Sequence, residues 1–176
     1  CNCFYASVEM LHHPELAGKP MAVGGDPEAR HGIVLTANYL AKRKGVKTGM
    51  ALWEARQVCP EIVFVPPRMD LYLRFSQMAR EIYSEYTERI ESFGCDEAWV
   101  ELRGTMRGHG LEIAEEIRER IKKELEITVS IGVSFNKVFV FFHPLSCSFF
   151  VLFFICLYKN KMEMRMGVSK MKVRGL

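Results

Sequence analysis

Two adjacent carboxylates, Asp96 and Glu97, stand between two apolar segments that have the pattern of β-strands. Unpaired carboxylates are costly in an apolar setting unless a cation neutralises them. Carboxylate oxygens are also the ligands that Mg²⁺ and other hard divalent cations prefer. The sequence therefore predicts a metal site at this pair, although an ordinary exposed Asp-Glu turn is the alternative on pattern alone.

The geometry of a strand limits how both carboxylates can reach one metal site. Successive side chains of a strand point to opposite faces, so the two groups converge only if the chain bends or bulges beside them. Gly94, just upstream, permits such a bend. Converging carboxylates suit nucleotidyl transfer, in which two divalent cations activate the attacking hydroxyl and stabilise the leaving pyrophosphate.

A second group of polar residues could bind a triphosphate. If the segment 38–47 is helical, Tyr39 shares a face with Lys42 and Arg43, at three- and four-residue offsets. A hydroxyl and cations on one face can converge on phosphate oxygens. A solvated basic helix face is the alternative.

Three blocks of sequence, Cys1–Glu9, Thr36–Val46 and Phe93–Val100, carry a family resemblance. They read Cys-Asn-Cys-Phe-Tyr-Ala-Ser-Val-Glu, Thr-Ala-Asn-Tyr-Leu-Ala-Lys-Arg-Lys-Gly-Val and Phe-Gly-Cys-Asp-Glu-Ala-Trp-Val. Each is weak alone, but in this order and at these separations they resemble Y-family DNA polymerases of the DNA polymerase IV (UmuC-domain) type. The resemblance ends near Val138.

The resemblance implies a piece of a translesion DNA-directed DNA polymerase. In that family the first metal-binding aspartate directly precedes the residue that is Cys1 here, and a thumb and a little finger follow the palm. We therefore expect a palm and fingers fragment that is truncated at both ends and inactive by itself. The implied cofactor is Mg²⁺, as two ions, and the implied partners are primer-template DNA, deoxynucleoside triphosphates and a sliding clamp.

The resemblance also implies roles for residues at the metal site. Asp96 matches a metal ligand and Glu97 its catalytic neighbour, and the backbone carbonyl of Cys1 matches a further metal contact. Tyr5 matches the steric gate, an aromatic ring that leaves no room for a 2′ hydroxyl. Phe4 is the other aromatic candidate for the nucleotide site, although a core position at a strand-to-helix junction suits it better.

The same resemblance assigns triphosphate binding to Tyr39, Lys42 and Arg43. The family usually has arginine where Lys42 stands, so this chain keeps the charge and loses the bidentate fork. Lys137 could approach the phosphates or the template. Arg68, Tyr72 and Arg74 could contact DNA phosphates, with a solvated helix face as the alternative.

The order of predicted elements indicates an α+β fold. We predict a ferredoxin-like βαββαβ polymerase palm with an inserted small α/β fingers lobe. The predicted domains are 1–66 (fingers, with a remnant of the first palm strand), 67–137 (palm) and 138–176 (an atypical tail). The predicted strands are 20–23, 33–36, 90–93, 98–102 and 127–133, and the predicted helices are 6–12, 38–44, 51–58, a long helix after Pro66-Pro67, and 111–125.

Composition limits the protein class without deciding it. The net charge is +3, but residues 138–176 carry six basic side chains against one acidic, which leaves 18 basic and 20 acidic in the first 137 residues. Binding to nucleic acid would thus require basic residues concentrated on one face. The six cysteines form no CxxC pair and no secreted disulfide pattern, and their spacing with His12 and His13 fits no zinc site, so we expect reduced thiols and a cytoplasmic location.

The tail opens with an apolar, phenylalanine-rich segment, Val138–Tyr158, followed by basic residues. Its length and flanks are compatible with a membrane anchor, which Pro144 weakens. We favour a frameshift, an insertion or read-through, because the break falls inside a recognised domain. A non-catalytic ferredoxin-like module that binds nucleic acid is the other alternative function.

Overall fold

The computed structural model describes residues 1–25, 32–102 and 110–134, together with the backbone of 153–156. The chain divides into two compact units. One is Cys3–Phe75, and the other joins Cys1–Asn2 to Ser76–Leu176. Each unit contains a sheet of its own.

The unit Cys3–Phe75 is built around a short sheet. Its described elements are α1 (Phe4–His12), a 3₁₀ turn (Pro14–Leu16), β1 (Met21–Gly24), β2 (Val34–Ala37), α2 (Tyr39–Arg43), α3 (Leu52–Val58) and β3 (Val63–Val65). The strand order is β2-β1-β3, with β1 antiparallel to β2 and parallel to β3. All four residues of β1 are buried, as expected for a central strand covered on both faces. The core includes Ala22, Val34, Ala37, Ala41, Val46, Leu52, Ala55, Cys59 and Ile62.

Asn38 joins α2 to the central strand of this sheet. It is the N-cap of α2, and its Oδ1 accepts hydrogen bonds from the backbone N–H of Ala41 at 3.0 Å and of Met21 at 3.2 Å. Its Nδ2 donates to the carbonyl of Lys19 at 2.8 Å. The residue is only 3% exposed, so these backbone groups have little access to water as an alternative partner. One side chain therefore fixes where α2 begins.

The other unit contains a larger sheet and two long helices. α4 (Met69–Ser84) begins in the unit Cys3–Phe75 and continues here, and the further described elements are β4 (Ile90–Phe93), β5 (Glu97–Glu101), α5 (Gly110–Glu124), β6 (Ile131–Ser134) and β7 (Phe153–Cys156). The strand order is β4-β5-β7-β6, with β4 antiparallel to β5 and β7 parallel to both neighbours. α5 buries an apolar stripe at helical spacing, made of Ile113, Ala114, Ile117 and Ile121.

The mixture of helices and strands confirms the α+β prediction, and most predicted elements are found within a few residues of their expected bounds. Strand β6 is an exception, because it begins at Ile131 and not at Ile127. Ile127 and Val129 are buried with the alternation of a strand, but the carbonyl of Thr128 bonds to the N–H of Asn2 outside any ladder. Alternating burial alone therefore overestimated the length of this strand.

Strand β7 was not predicted. It belongs to the apolar segment Val138–Tyr158, and the rest of that segment lies outside the described residues. Among the residues that the structure describes, no helix has the length and apolar character needed to cross a membrane.

We predict that Asn38→Ala destabilises the fold by about 2 kcal/mol, because two buried backbone N–H groups and one carbonyl lose their partner. Urea unfolding of the 176-residue chain measures this change. Gln57→Ala, which removes the same amide from an exposed helix position, serves as control and should change stability by less than about 0.5 kcal/mol. Equal unfolding midpoints for the two variants would contradict the role given to Asn38.

Candidate active site

The two predicted metal carboxylates lie at the turn of a tight hairpin. Strands β4 and β5 pair antiparallel, with Phe93 opposite Glu97, and the turn consists of Gly94, Cys95 and Asp96. Gly94 has φ +66°, in the left-handed region that glycine adopts without strain. The guanidinium of Arg80 donates to the carbonyl of Gly94 at 3.0 Å. The bend expected from Gly94 is therefore present.

The opening residues of the chain reach this hairpin. The terminal ammonium of Cys1 donates to the backbone carbonyl of Asp96 at 2.9 Å and lies 3.8 Å from its Oδ2. The backbone N–H of Asn2 donates to the carbonyl of Thr128 at 2.8 Å, and its side chain bonds to Thr128 and Ser130. The structure thus brings together three of the predicted site positions, Cys1, Asp96 and Glu97.

Burial disfavours the charged forms of both carboxylates of this acidic pair. Burial raises the pKa of Asp96, and the nearby ammonium of Cys1 only partly opposes it. Burial and then the charge of Asp96 raise the pKa of Glu97. A cation placed beside the two carboxylates would favour their charged forms and oppose this effect of burial.

The chemistry of the donors fits a hard divalent cation. Asp96 and Glu97 supply carboxylate oxygens, and the charge of one reaches the other. Within the described part of the chain, however, no cluster of three or more His, Cys, Asp or Glu side chains could hold a metal. Asp96 and Glu97 are therefore suited to supply two carboxylate ligands, and a complete metal site would need further ligands.

Sequence reasoning missed two residues around the acidic pair, Arg80 and Tyr83. Burial and then the negative charge of Asp96 raise the pKa of Tyr83, so this α4 residue feels the same carboxylate. Arg80 supports the turn through the carbonyl of Gly94. Their signal in the sequence was only the helical periodicity of α4, which does not indicate the strand that a residue faces.

The predicted triphosphate residues lie on one short helix. Tyr39, Lys42 and Arg43 belong to α2, whose start is fixed by Asn38. Tyr39 is 48% exposed, Lys42 is half-buried and Arg43 is exposed. Their three- and four-residue spacing on an α-helix gives them a common face. The helix prediction is confirmed, while the binding role stays a prediction.

The aromatic candidates on α1 differ in exposure. Phe4 is 4% exposed, as expected for a core aromatic, whereas Tyr5 is half-buried. Tyr5 stacks on Tyr72, with ring centroids 4.3 Å apart and 18° between the planes. Tyr72 itself is fully buried, which fits neither of the alternatives considered for it, a contact with DNA phosphates or a solvated helix face. Lys137 lies outside the described residues.

The model of the impB/mucB/samB family matches residues 1–139, which is most of the chain. The chain belongs to the impB/mucB/samB family. The matched residues include all three sequence blocks, and with them the acidic hairpin, α2 and the start of α1.

Known proteins of related sequence confirm the resemblance to Y-family DNA polymerases. The chain is 57% identical over 140 residues to the DNA polymerase IV of Acetivibrio thermocellus, and this match covers 78% of the chain and 35% of that relative. This chain thus spans about a third of the length of that curated relative.

Solved structures agree with this assignment. A Y-family DNA polymerase chimera, Dbh-Dpo4(243-245)-Dbh, matches with 33% identity and a TM-score of 0.68 over 73% of this chain and 39% of its own. The crystal structure of DinB from Sulfolobus solfataricus matches with 34% identity and a TM-score of 0.68 over 73% of this chain and 38% of its own.

We predict that Asp96→Asn stabilises the metal-free chain at neutral pH and loses this advantage in acid. The raised pKa of Asp96 means that the native state binds its proton more tightly than the unfolded state does. Wild-type stability therefore falls as pH rises from the ordinary aspartate value of about 4 through the raised native value. An asparagine, which stays neutral, avoids this loss.

Urea unfolding with chelator at pH 3 and pH 7 checks this expectation. Glu88→Gln removes an exposed carboxylate from the same unit and should show no comparable pH-dependent difference from wild type. An Asp96→Asn variant that is less stable than wild type at pH 7 would show that the burial penalty is fully compensated.

Proposed function

We propose that this chain forms the palm and fingers region of a translesion DNA-directed DNA polymerase. The reaction adds a deoxynucleotide to a primer 3′ hydroxyl, as directed by a template, and releases pyrophosphate. The observation that carries the proposal is the bent hairpin with Asp96 and Glu97, whose pKa values burial raises, in a chain of the impB/mucB/samB family. Primer-template DNA and deoxynucleoside triphosphates are the substrates that this function requires.

The proposed domains follow the order of the elements. We assign the fingers lobe to residues 1–66, which contain the three-stranded sheet, and the palm to 67–137. From α4 to β6 the described elements follow the order α-β-β-α-β, which is the ferredoxin-like order without its first strand. This order supports the palm assignment.

The proposed metal ligands are Asp96 and Glu97, with the backbone carbonyl of Cys1 as a further contact. Mg²⁺ bound there would supply the charge that activates the primer hydroxyl and stabilises the leaving pyrophosphate. The protein contributes the placement of the carboxylates. Gly94 and Arg80 hold the turn, and burial keeps water from screening the carboxylate charges.

The proposed nucleotide residues lie in the unit Cys3–Phe75. The α2 face of Tyr39, Lys42 and Arg43 binds triphosphate oxygens through one hydroxyl and two cations. Tyr5 screens the sugar, because an aromatic ring against C2′ excludes a ribonucleotide. Phe4, being buried, supports this part of α1 from the core.

Primer extension tests the proposal most directly. Because the chain spans 35% of the Acetivibrio thermocellus DNA polymerase IV, residues 1–139 should replace the matching segment of that relative. We predict that the chimera extends a primer with Mg²⁺. Asp96→Ala should reduce the rate by about a thousandfold, because a charge-stabilising group is lost.

Glu88→Ala, which removes an exposed carboxylate in the same segment, is the control and should leave the rate unchanged. A chimera that folds but fails to extend primers, or one that is indifferent to Asp96→Ala, would refute the proposed function.

Titration of the 176-residue chain with dATP and Mn²⁺ tests the triphosphate face. We predict that Lys42→Ala weakens binding about tenfold, because one charge-assisted contact is lost. Lys42→Arg should retain or improve affinity, since arginine keeps the charge and presents two parallel N–H donors to a phosphate. Lys47→Ala, at an exposed position beyond α2, is the matched control. Equal affinities for Lys42→Ala and Lys47→Ala would contradict the assignment.

A further inference from the structure

A buried carboxylate lies one helical turn beyond Tyr5 on α1. The side chain of Glu9 is 0% exposed. Arg68 donates to it through Nε, at 3.1 Å from each carboxylate oxygen, and through Nη2 at 2.5 Å from Oε2. Tyr72 donates its hydroxyl to Oε1 at 2.6 Å, and His13 Nε2 lies 3.8 Å from Oε2. A buried charge is thus held by several donors at once.

These donors make the ionised form of Glu9 the stable one. Burial by itself raises its pKa, but the hydrogen bonds and charge from Arg68 and the hydrogen bond from Tyr72 together outweigh burial, so the pKa lies below the ordinary value. A carboxylate with this many charge-assisted bonds has little freedom to move. The hydroxyl of Tyr72 is correspondingly fixed.

The spacing of the residues turns this anchor into a support for Tyr5. Tyr5 and Glu9 are four residues apart on α1, and Arg68 and Tyr72 are four residues apart at the start of α4, where the backbone N–H of Tyr72 also donates to the carbonyl of Arg68. Residues at this spacing lie one above the other on a helix. The ring of Tyr72 therefore lies under the ring of Tyr5, in the stacked arrangement at 4.3 Å and 18°.

The surrounding contacts restrict the ring further. Phe4 packs at a tilt against both tyrosines, with centroids 5.7 Å from Tyr5 and 6.4 Å from Tyr72. Tyr72 is fully buried, so it has no room to follow a displaced Tyr5. One face of the Tyr5 ring is thus backed by a side chain that is itself hydrogen-bonded to the buried carboxylate of Glu9.

We propose that Glu9, Arg68 and Tyr72 are positioning residues that hold the Tyr5 ring at a fixed height, and that this rigidity sets how strongly the site rejects ribonucleotides. The inference rests on the proposed sugar-screening role of Tyr5. A ring that excludes a 2′ hydroxyl must resist displacement by about the width of one oxygen atom, because a yielding ring would admit the larger sugar. Only Glu9 is buried in this ion pair, because the Arg68 side chain is 42% exposed. The cost of removing the Glu9 carboxylate from water offsets much of what the pair contributes to stability, so this network is better suited to fixing a geometry.

The experiment compares binding of dATP and ATP, which differ only in the 2′ hydroxyl, to the 176-residue chain with Mn²⁺. Wild type should favour dATP, and Tyr5→Ala should abolish the preference. Tyr72→Leu, which removes the backing ring, should lower the ratio of the two dissociation constants at least tenfold, mainly through tighter ATP binding. Tyr72→Phe keeps the ring and loses only the anchor to Glu9, so it should lower the ratio about threefold, and Glu9→Gln should do the same.

A matched control separates positioning from general destabilisation. Tyr86 is another buried tyrosine whose hydroxyl donates to a glutamate, Glu116, at 2.8 Å. Tyr86→Leu should lower stability in urea as Tyr72→Leu does, but leave the ratio of dissociation constants unchanged. If Tyr72→Leu fails to fold, the milder Tyr72→Phe and Glu9→Gln variants decide the question.

The outcomes distinguish this inference from the proposed function. A wild-type chain that binds neither nucleotide, or both equally, overturns the sugar-screening role of Tyr5 and the inference with it. A wild-type chain that prefers dATP, with Tyr72 and Glu9 variants that keep the full preference, leaves the proposed function intact and overturns the positioning role alone.

Discussion

A carboxylate that folding removes from water needs positive charge or hydrogen-bond donors as compensation. At two places in the chain this compensation differs in extent. Glu9 is surrounded by the donors of Arg68 and Tyr72, and its pKa is lowered. Asp96 has the ammonium of Cys1 near it, and its pKa is raised because burial outweighs that charge. The first carboxylate has its donors within the protein, whereas for the second we propose a bound cation.

We propose that this difference separates a structural carboxylate, Glu9, from the catalytic carboxylates Asp96 and Glu97. A fully neutralised carboxylate can fix neighbouring side chains but has no free affinity for a substrate metal. A buried carboxylate that is only partly neutralised lowers the free energy of unfolding, and a bound cation would restore it. Membership of the impB/mucB/samB family agrees with this division, because the acidic hairpin lies within the matched residues 1–139.

Local patterns predicted the fold well where the decisive contacts were local. The α2 helix, the β4–β5 hairpin and the amphipathic α5 follow from spacing, from Gly94 and from apolar periodicity within short windows. Strand β3, Val63–Val65, was missed although its run of β-branched and aromatic residues before two prolines was a usable signal. The site was less accessible to sequence reasoning.

The burial of Tyr72 shows why the site was harder to predict. Its position near the start of an amphipathic helix suggested a surface role. Its partner Glu9, however, lies 63 residues away along the chain, and no pattern in a single sequence specifies such a pairing. Arg80 and Tyr83 lie close to the hairpin in sequence, but they were missed because the periodicity of α4 does not show which strand each residue faces. The acidic pair itself was found because its two residues are adjacent.

The turn at Gly94 has a consequence for how this hairpin can vary among related sequences. A side chain added there would meet no atom within 4 Å, so crowding does not restrict the position. The backbone does, because φ is +66° and an L residue in that region costs roughly 1 kcal/mol, less for asparagine or aspartate and more for a β-branched residue. The backbone dihedral angle alone therefore limits which residues can replace Gly94. Asparagine or aspartate fits the turn with its present backbone path, whereas valine, isoleucine or threonine would change that path and with it the direction of the Asp96 side chain.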